Sequence, residues 1–460
     1  MQPKVFRNSP ATLAPVVTAT RDASFSDVLA RRFKQVRGTT KALCRPLATE
    51  DYGIQSMPDA SPAKWHIAHT SWFFEEFVLQ QALADYAFFD PAFRFLFNSY
   101  YEAVGPRHSR AERGLLSRPT VDHVWAYRTH VDERLQALLD QDALSPELQQ
   151  VVEIGLHHEQ QHQELLLTDL KHMFSRSPLQ PAYISAPSSQ ADSEFTPLAF
   201  VEFAGGLTDI GHEGSSFCFD NELARHRVFL EPFRLADRLT TNAEYLQFIR
   251  DRGYQRAELW LSEGWATVQR EAWQRPLYWA ESLDSEFSLT GPRALDPNAP
   301  VCHVSYYEAD AFARWAGARL PTEFEWESVA AKSAIAGNFV ADSAWHPLPA
   351  ARVETSAALE EGVSRNHHRI RQLFGDVWEW TASAYTPYPR FRPLNGALGE
   401  YNGKFMVNQL VLRGGSCATP LDHIRATYRN FFPATARWQF SGVRLAADIG
   451  PSQTEHGVMS

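Results

Sequence analysis

The distribution of apolar residues changes character once along the chain, and that change constrains the fold more than any single motif. Before about residue 175 apolar side chains recur with a helical period; after about residue 198 they gather in short runs cut by Gly, Asp and Pro turns. Between them Ser175–Pro197 (SRSPLQPAYISAPSSQADSEFTP) is rich in Pro, Ser and Ala and has no apolar period, so it reads as a linker or strap at a domain boundary. A chain of 460 residues has room for two or three domains, each with its own core.

Four helices are expected in the first part. Ser24–Leu47 carries Val28, Leu29, Phe33 and Val36 on one face, and Ser61–Tyr86 opens on Ser-Pro, a pair suited to the N-cap and the first helical position. Thr120–Asp140 and Ser145–Phe174 are amphipathic in the same way. Helices of this number and length make a four-helix bundle. In the second part Phe200–Phe203, His226–Phe233 and Leu410–Leu412 read as extended, and only Thr241–Arg252 and Ser305–Ala316 read as helices. That texture implies an irregular α+β domain in which loops outweigh regular structure.

Charge and cysteine usage narrow the function. The net charge of −10 lacks the basic footprint of a nucleic-acid binder. Cys44, Cys218, Cys302 and Cys417 show no CxxC spacing, so neither a disulfide framework nor a zinc ribbon is indicated. With no secretory h-region and no run of 18 apolar residues, the expectation is a cytoplasmic protein without a membrane span.

Chemistry enters with His158-Glu159-Gln160-Gln161-His162 in the fourth helix. Side chains four apart share a helical face, so both imidazoles can converge on one point. Many such pairs are merely solvated, and a metal site in a bundle needs a further ligand from a facing helix. The second helix offers His66 and His69 within Trp65-His66-Ile67-Ala68-His69, where apolar neighbours place His69 near the buried side and make an unpartnered imidazole costly. Three neutral histidines without a carboxylate suit catalytic zinc or a ferrous ion equally well.

Over roughly residues 25–448 the chain resembles the EgtB-like sulfoxide synthases of ergothioneine biosynthesis. SPAKWHIAHTSWFFEEF and HHEQQHQELLLTDLKH resemble the DinB-like bundle of that family. RLPTEFEWE (Arg319–Glu327), GDVWEWTAS (Gly375–Ser383), RGGSC (Arg413–Cys417) and SGVRLA (Ser441–Ala446) resemble its formylglycine-generating-enzyme (sulfatase-modifying factor) domain, of C-type-lectin-like fold. The implied organisation is a flexible tail at 1–20, a DinB-like four-helix bundle at 21–175, a strap at 176–198, the irregular α+β domain at 199–450 and a tail at 451–460.

By the same resemblance His69, His158 and His162 are the iron ligands, while His66 and His157 occupy positions the family does not use for metal. Gln161 contacts the histidine betaine (hercynine), Asn430 reaches its carboxylate, and Phe431 and Phe432 offer aromatic faces to its trimethylammonium group. Phe97-Asn98-Ser99-Tyr100-Tyr101 resembles the subgroup with two adjacent active-site tyrosines, which makes Tyr100 and Tyr101 the expected proton donors. Arg107, Arg110 and Arg113 follow, as candidates to grip a carboxylate of the sulfur donor.

The implied reaction uses Fe(II) and O2 to join hercynine to cysteine as a sulfoxide. Its partners are small molecules, with neither nucleic acid nor membrane, and oligomeric state is not specified. Relatives that take γ-glutamylcysteine or a selenosugar are the nearest alternatives. A zinc-dependent DinB-type thiol transferase is more remote, because it has no use for the second domain. A formylglycine-generating oxidase needs two closely placed late cysteines, and only Cys417 is present.

Overall fold

The computed structural model describes residues 24–185, 196–350 and 369–449. The tails expected at 1–20 and 451–460, and the centre of the expected strap, lie outside the described residues. Two compact units are present. The first takes in the chain up to Tyr100, then Gly105–Met173 and the short return segment Pro420–His423; the second takes in Tyr101–Val104, Phe174–Thr419 and the chain from Ile424 onward.

The first unit is helical. Helix Phe25–Cys44 starts at Ser24, whose hydroxyl accepts from the Asp27 backbone while the Asp27 side chain reaches back, a reciprocal capping box. Helix Ala63–Phe74 is buried at all twelve positions, as expected of a helix that is apolar round most of its circumference. Its start differs by one residue from the sequence expectation. Pro62 stands at the cap; Ser61 faces elsewhere, its Oγ accepting from Arg113 at 2.9 Å and its backbone N–H donating to Asp169 Oδ2 at 2.8 Å. The helix then widens into a π turn over Glu75–Leu79. Helices Val121–Asp140 and Pro146–Arg176 complete the bundle.

One glycine sets the spacing where chemistry is expected. A Cβ at Gly155 would press into the ring of Phe74 and stand 2.9 Å from a ring carbon of Phe73. Both rings are fully buried. Glycine in a helix interior costs about 1 kcal/mol relative to alanine. Here it lets helix Pro146–Arg176 approach helix Ala63–Phe74 one turn before His158.

The second unit is built on small sheets. Phe233–Ala236 pairs antiparallel with both Phe200–Phe203 and Ala446–Asp448. A four-stranded sheet runs in the order Ser441–Gly442, Trp378–Ala384, Leu410–Arg413, Asn430–Phe432, its first pair parallel and the rest antiparallel. The segment expected as one strand at His226–Phe233 breaks at Glu231-Pro232, and its halves join different sheets. Pro cannot donate to a ladder, which accounts for the break.

Helices Thr241–Arg252 and Ser305–Ala316 are found as Asn242–Arg250 and Tyr306–Trp315, each behind a Thr or Ser cap. Two more, Ser262–Glu271 and Glu323–Ala330, were not expected. The first buries Gly264, Thr267 and Val268, too small and polar to print an apolar stripe. The second buries Glu323, Glu325 and Glu327 against Arg429, Arg319 and Arg413, so half of its inward side chains are acidic beside apolar Trp326, Val329 and Ala330. Gly414, at φ +98°, turns the RGG segment past the Leu373 carbonyl, which a Cβ would approach to 2.7 Å. Among the described residues no helix is long and apolar enough to cross a membrane.

Replacing Gly155 by alanine improves helix propensity yet forces a methyl between two immobile rings. The expected result is a net loss of up to about 2 kcal/mol, since overpacking costs about 1–3 kcal/mol and the gain in propensity offsets about 1 kcal/mol of it. Urea unfolding measures it; a stabilised variant contradicts the close approach.

Candidate metal centre

Helix Ala63–Phe74 supplies His66 and His69, three residues apart, and helix Pro146–Arg176 supplies His158 and His162, four apart. His69, His158 and His162 come together: each offers one ligand atom, and these atoms lie within 4.8 Å of one another. Their ring centres are 4.9, 4.7 and 4.6 Å apart. The Nε2 atoms of His69 and His158 stand 3.2 Å apart. His69 lies against Trp65 and Trp72 in near-parallel stacks, at 4.5 and 5.6 Å, and its Nδ1–H donates to the Phe97 carbonyl at 2.6 Å. That bond commits the proton to Nδ1 and leaves Nε2 as a lone pair.

The electrostatics favour neutral imidazoles. Burial pushes His69 and His162 well below the usual histidine range, and the neighbouring histidines add to it. Burial takes His158 down to about 3, against the pull of the Glu159 carboxylate. Three uncharged nitrogen donors with no carboxylate among them form a set suited to a divalent transition ion, and three protein ligands leave positions open for other molecules.

The arginines after the tyrosine pair separate by environment. Arg107 and Arg110 are exposed and hold backbone carbonyls, those of Ser99 and Asp59. Arg113 is buried, its guanidinium 3.3 Å from the centre of the Trp65 ring and donating to Ser61 Oγ at 2.9 Å. Burial, with Arg110 nearby, pushes it well below the ordinary arginine range. Gln161 is half-buried on the long helix, and its neighbour Gln160 donates to Asp422 Oδ1 at 2.6 Å.

Tyr100 is half-buried in the first unit. Tyr101 is fully buried in the second, where Glu400 accepts the backbone N–H groups of Glu102 and Ala103. Asn430, Phe431 and Phe432 also lie in the second unit, on the strand that pairs with Leu410–Arg413. Phe431 stacks on Tyr385 at 4.0 Å. Just before it, buried Arg429 makes two hydrogen bonds to Glu323, at 2.8 and 3.0 Å, and lies 3.9 Å over Tyr388.

Comparison with known proteins identifies the architecture. The DinB superfamily model matches residues 32–166, and the sulfatase-modifying factor enzyme 1-like domain model matches residues 186–449. Hercynine oxygenase of Mycolicibacterium smegmatis is 32% identical over 418 residues, covering 86% of this chain and 93% of that one. The chain belongs to the hercynine oxygenase family. A second hercynine oxygenase, from Mycolicibacterium thermoresistibile, is 32% identical over 419 residues, 85% of this chain and 88% of its own. Formylglycine-generating enzyme of Streptomyces coelicolor is 30% identical over 282 residues, 51% of this chain and 85% of that protein. As a hercynine oxygenase family member the chain is an oxidoreductase, with a DinB-like helical domain followed by an α+β domain of the formylglycine-generating-enzyme type.

Some residues that shape the centre escaped the sequence reading. Asp169 follows His162 by seven residues, two helical turns, and so shares its face; that spacing was the available signal. Glu159 looked like part of the histidine motif but points about 100° round the helix, away from the cluster. Its carboxylate accepts from Arg37 at 2.7 Å, Arg128 at 2.5 Å and Thr40 at 2.6 Å, all buried. Burial raises the Glu159 carboxyl, but Arg128 and Arg37 outweigh it and hold it near about 2.

Removing Glu159 takes away the close carboxylate partner of buried Arg128 and leaves Arg37 with Asp132 alone, so Glu159→Ala is expected to cost about 3–5 kcal/mol in urea unfolding at neutral pH. The carboxylate's contribution is complete above the unfolded-state value of about 4.3 and is lost as pH falls toward about 2. The gap between wild type and variant therefore narrows on acidification. An equal gap at pH 7 and pH 3 contradicts the assignment.

Proposed function

We propose that the chain is an iron(II)- and O2-dependent sulfoxide synthase that joins hercynine to cysteine, giving S-(hercyn-2-yl)-cysteine S-oxide in ergothioneine biosynthesis. The observation that carries this reading is the convergence of buried His69 and His158 with half-buried His162, in a chain that matches hercynine oxygenases over most of its length. The reaction balances as hercynine plus thiol plus O2 giving the sulfoxide plus water. One O2 oxygen ends on sulfur and the other leaves as water, with the imidazole carbon and the sulfur oxidised.

His69, His158 and His162 would hold the iron. When bound, ferrous iron would supply a site for activating O2, relaying to it the electrons given up by sulfur and the imidazole carbon, and a Lewis-acidic position for both substrates. The remaining work falls to the chain's own groups. Gln161 offers a neutral amide to the substrate imidazole, adding no charge beside the metal. Asn430 binds the betaine carboxylate, and Phe431 and Phe432 face its trimethylammonium group. Arg113 is the arginine suited to the donor carboxylate: a buried guanidinium that donates to a neutral hydroxyl, that of Ser61, gains from an anionic partner, whereas Arg107 and Arg110 are exposed. Tyr100 or Tyr101 supplies the proton that directs oxidised sulfur toward the carbon–sulfur bond.

The test is turnover. Protein loaded anaerobically with Fe(II) and mixed with hercynine and cysteine should, on admission of air, give a product of both masses combined, less two hydrogens and plus one oxygen. His162→Ala should abolish it. Preference for γ-glutamylcysteine or a selenosugar over cysteine reassigns the donor; cysteine sulfinate alone rejects the betaine; thiol transfer supported by zinc and not iron rejects the whole reading.

A further inference from the structure

Asp169 and His66 are both buried, and neither has a place in the machinery described so far. Asp169 Oδ2 accepts the Ser61 backbone N–H at 2.8 Å, and His66 Nε2 lies 3.1 Å from the same oxygen. An oxygen that serves as acceptor there requires the proton of His66 to sit on Nε2. An imidazole whose one N–H sits at Nε2 is bare at Nδ1. His66 Nδ1 is 2.9 Å from His162 Nδ1. Two ring nitrogens at this distance share one proton, and since His66 Nδ1 has none to give, His162 Nδ1 is the donor. His162 is left with an unprotonated Nε2.

We infer that Asp169 and His66 form a positioning relay that fixes His162 as its Nδ1–H tautomer, so that Nε2 is the atom it presents beside His69 and His158. The inference rests on the reading of those three residues as metal ligands and adds how one of them is prepared. His69 reaches the same tautomer by a shorter route, donating Nδ1–H to the Phe97 carbonyl. A ligand histidine oriented by a hydrogen-bonded partner is better aimed and more basic than a free one. The relay is itself anchored. Ser61, whose N–H binds Asp169, accepts from Arg113 through its hydroxyl, so the arginine proposed for the donor carboxylate and the metal ligand share one hydrogen-bonded chain.

The two relay members respond differently to substitution. Both partners of Asp169 Oδ2 are N–H donors, so in Asp169→Asn the amide oxygen can accept both and the tautomer survives. Asp169→Ala and His66→Leu remove the acceptor instead. Anaerobic titration of the full chain with Fe(II) alone, against a competing chelator, should show affinity reduced about 10- to 100-fold in Asp169→Ala and His66→Leu and nearly unchanged in Asp169→Asn.

A second readout needs no metal. In protein carrying 15N-labelled histidine, with His162 signals assigned by their loss in His162→Ala, wild type and Asp169→Asn should show His162 protonated at Nδ1, and His66→Leu a mixture of tautomers. A wild-type His162 protonated at Nε2 overturns the relay. So does iron uptake equal in all variants, which leaves the iron reading standing. A Nδ1–H His162 in a protein that takes up no iron upholds the relay and overturns the iron reading.

Discussion

Three imidazoles whose ring centres lie within 5 Å of one another in an apolar interior can coexist only without charge. A proton on one ring would be desolvated by its surroundings and would withdraw the lone pair on which metal binding depends. Much of the first unit follows from that constraint. Trp65 and Trp72 cover the faces of His69, Phe73 lies against His158, and Gly155 allows the helix bearing His158 to come close. Apolar burial of Trp65, Ile67, Trp72, Phe73 and Phe74, worth about 1.5–3 kcal/mol for a fully buried Phe or Ile side chain, offsets the cost of carrying two histidines on an interior helix.

Charge is not absent from this interior but is paired off on other faces. Glu159 sits one residue from His158 and neutralises Arg37 and Arg128 across the bundle, tying three helices together at the level of the cluster. The second unit uses the same device around the strand that carries Asn430 and Phe431. Glu323 and Glu327 hold Arg429 and Arg413, and Glu379 holds Arg444, all nearly or fully buried. Ion pairs of this kind add little net stability but fix geometry, because any other arrangement leaves a buried charge alone.

The sequence made some of this legible and not the rest, for physical reasons. Helical period and Ser-Pro starts marked the bundle helices, and the i, i+4 spacing of His158 and His162 with the apolar setting of His69 marked residues that do lie together. Helix Glu323–Ala330 was illegible because three of its six buried residues are glutamates, and Trp326, Val329 and Ala330 make too short an apolar stripe in eight residues; apolar periodicity is silent where burial is achieved by charge pairing. The three arginines were equivalent in sequence; only the fold separates Arg113, stacked on Trp65, from the two exposed ones. In sequence His66 reads as a non-ligand, and the hydrogen bonds that give it a role join it to residues about a hundred positions away. No local pattern carries that pairing.

The central claim is that His69, His158 and His162 hold a ferrous ion. Crystals of the protein loaded with Fe(II) under anaerobic conditions, with diffraction recorded on both sides of the iron absorption edge, address it directly. The account predicts a single strong iron peak within bonding distance of a ring nitrogen of each of the three histidines, with the remaining positions open to water or substrate. An iron peak elsewhere, or a cluster that stays empty of iron while holding zinc, would contradict it.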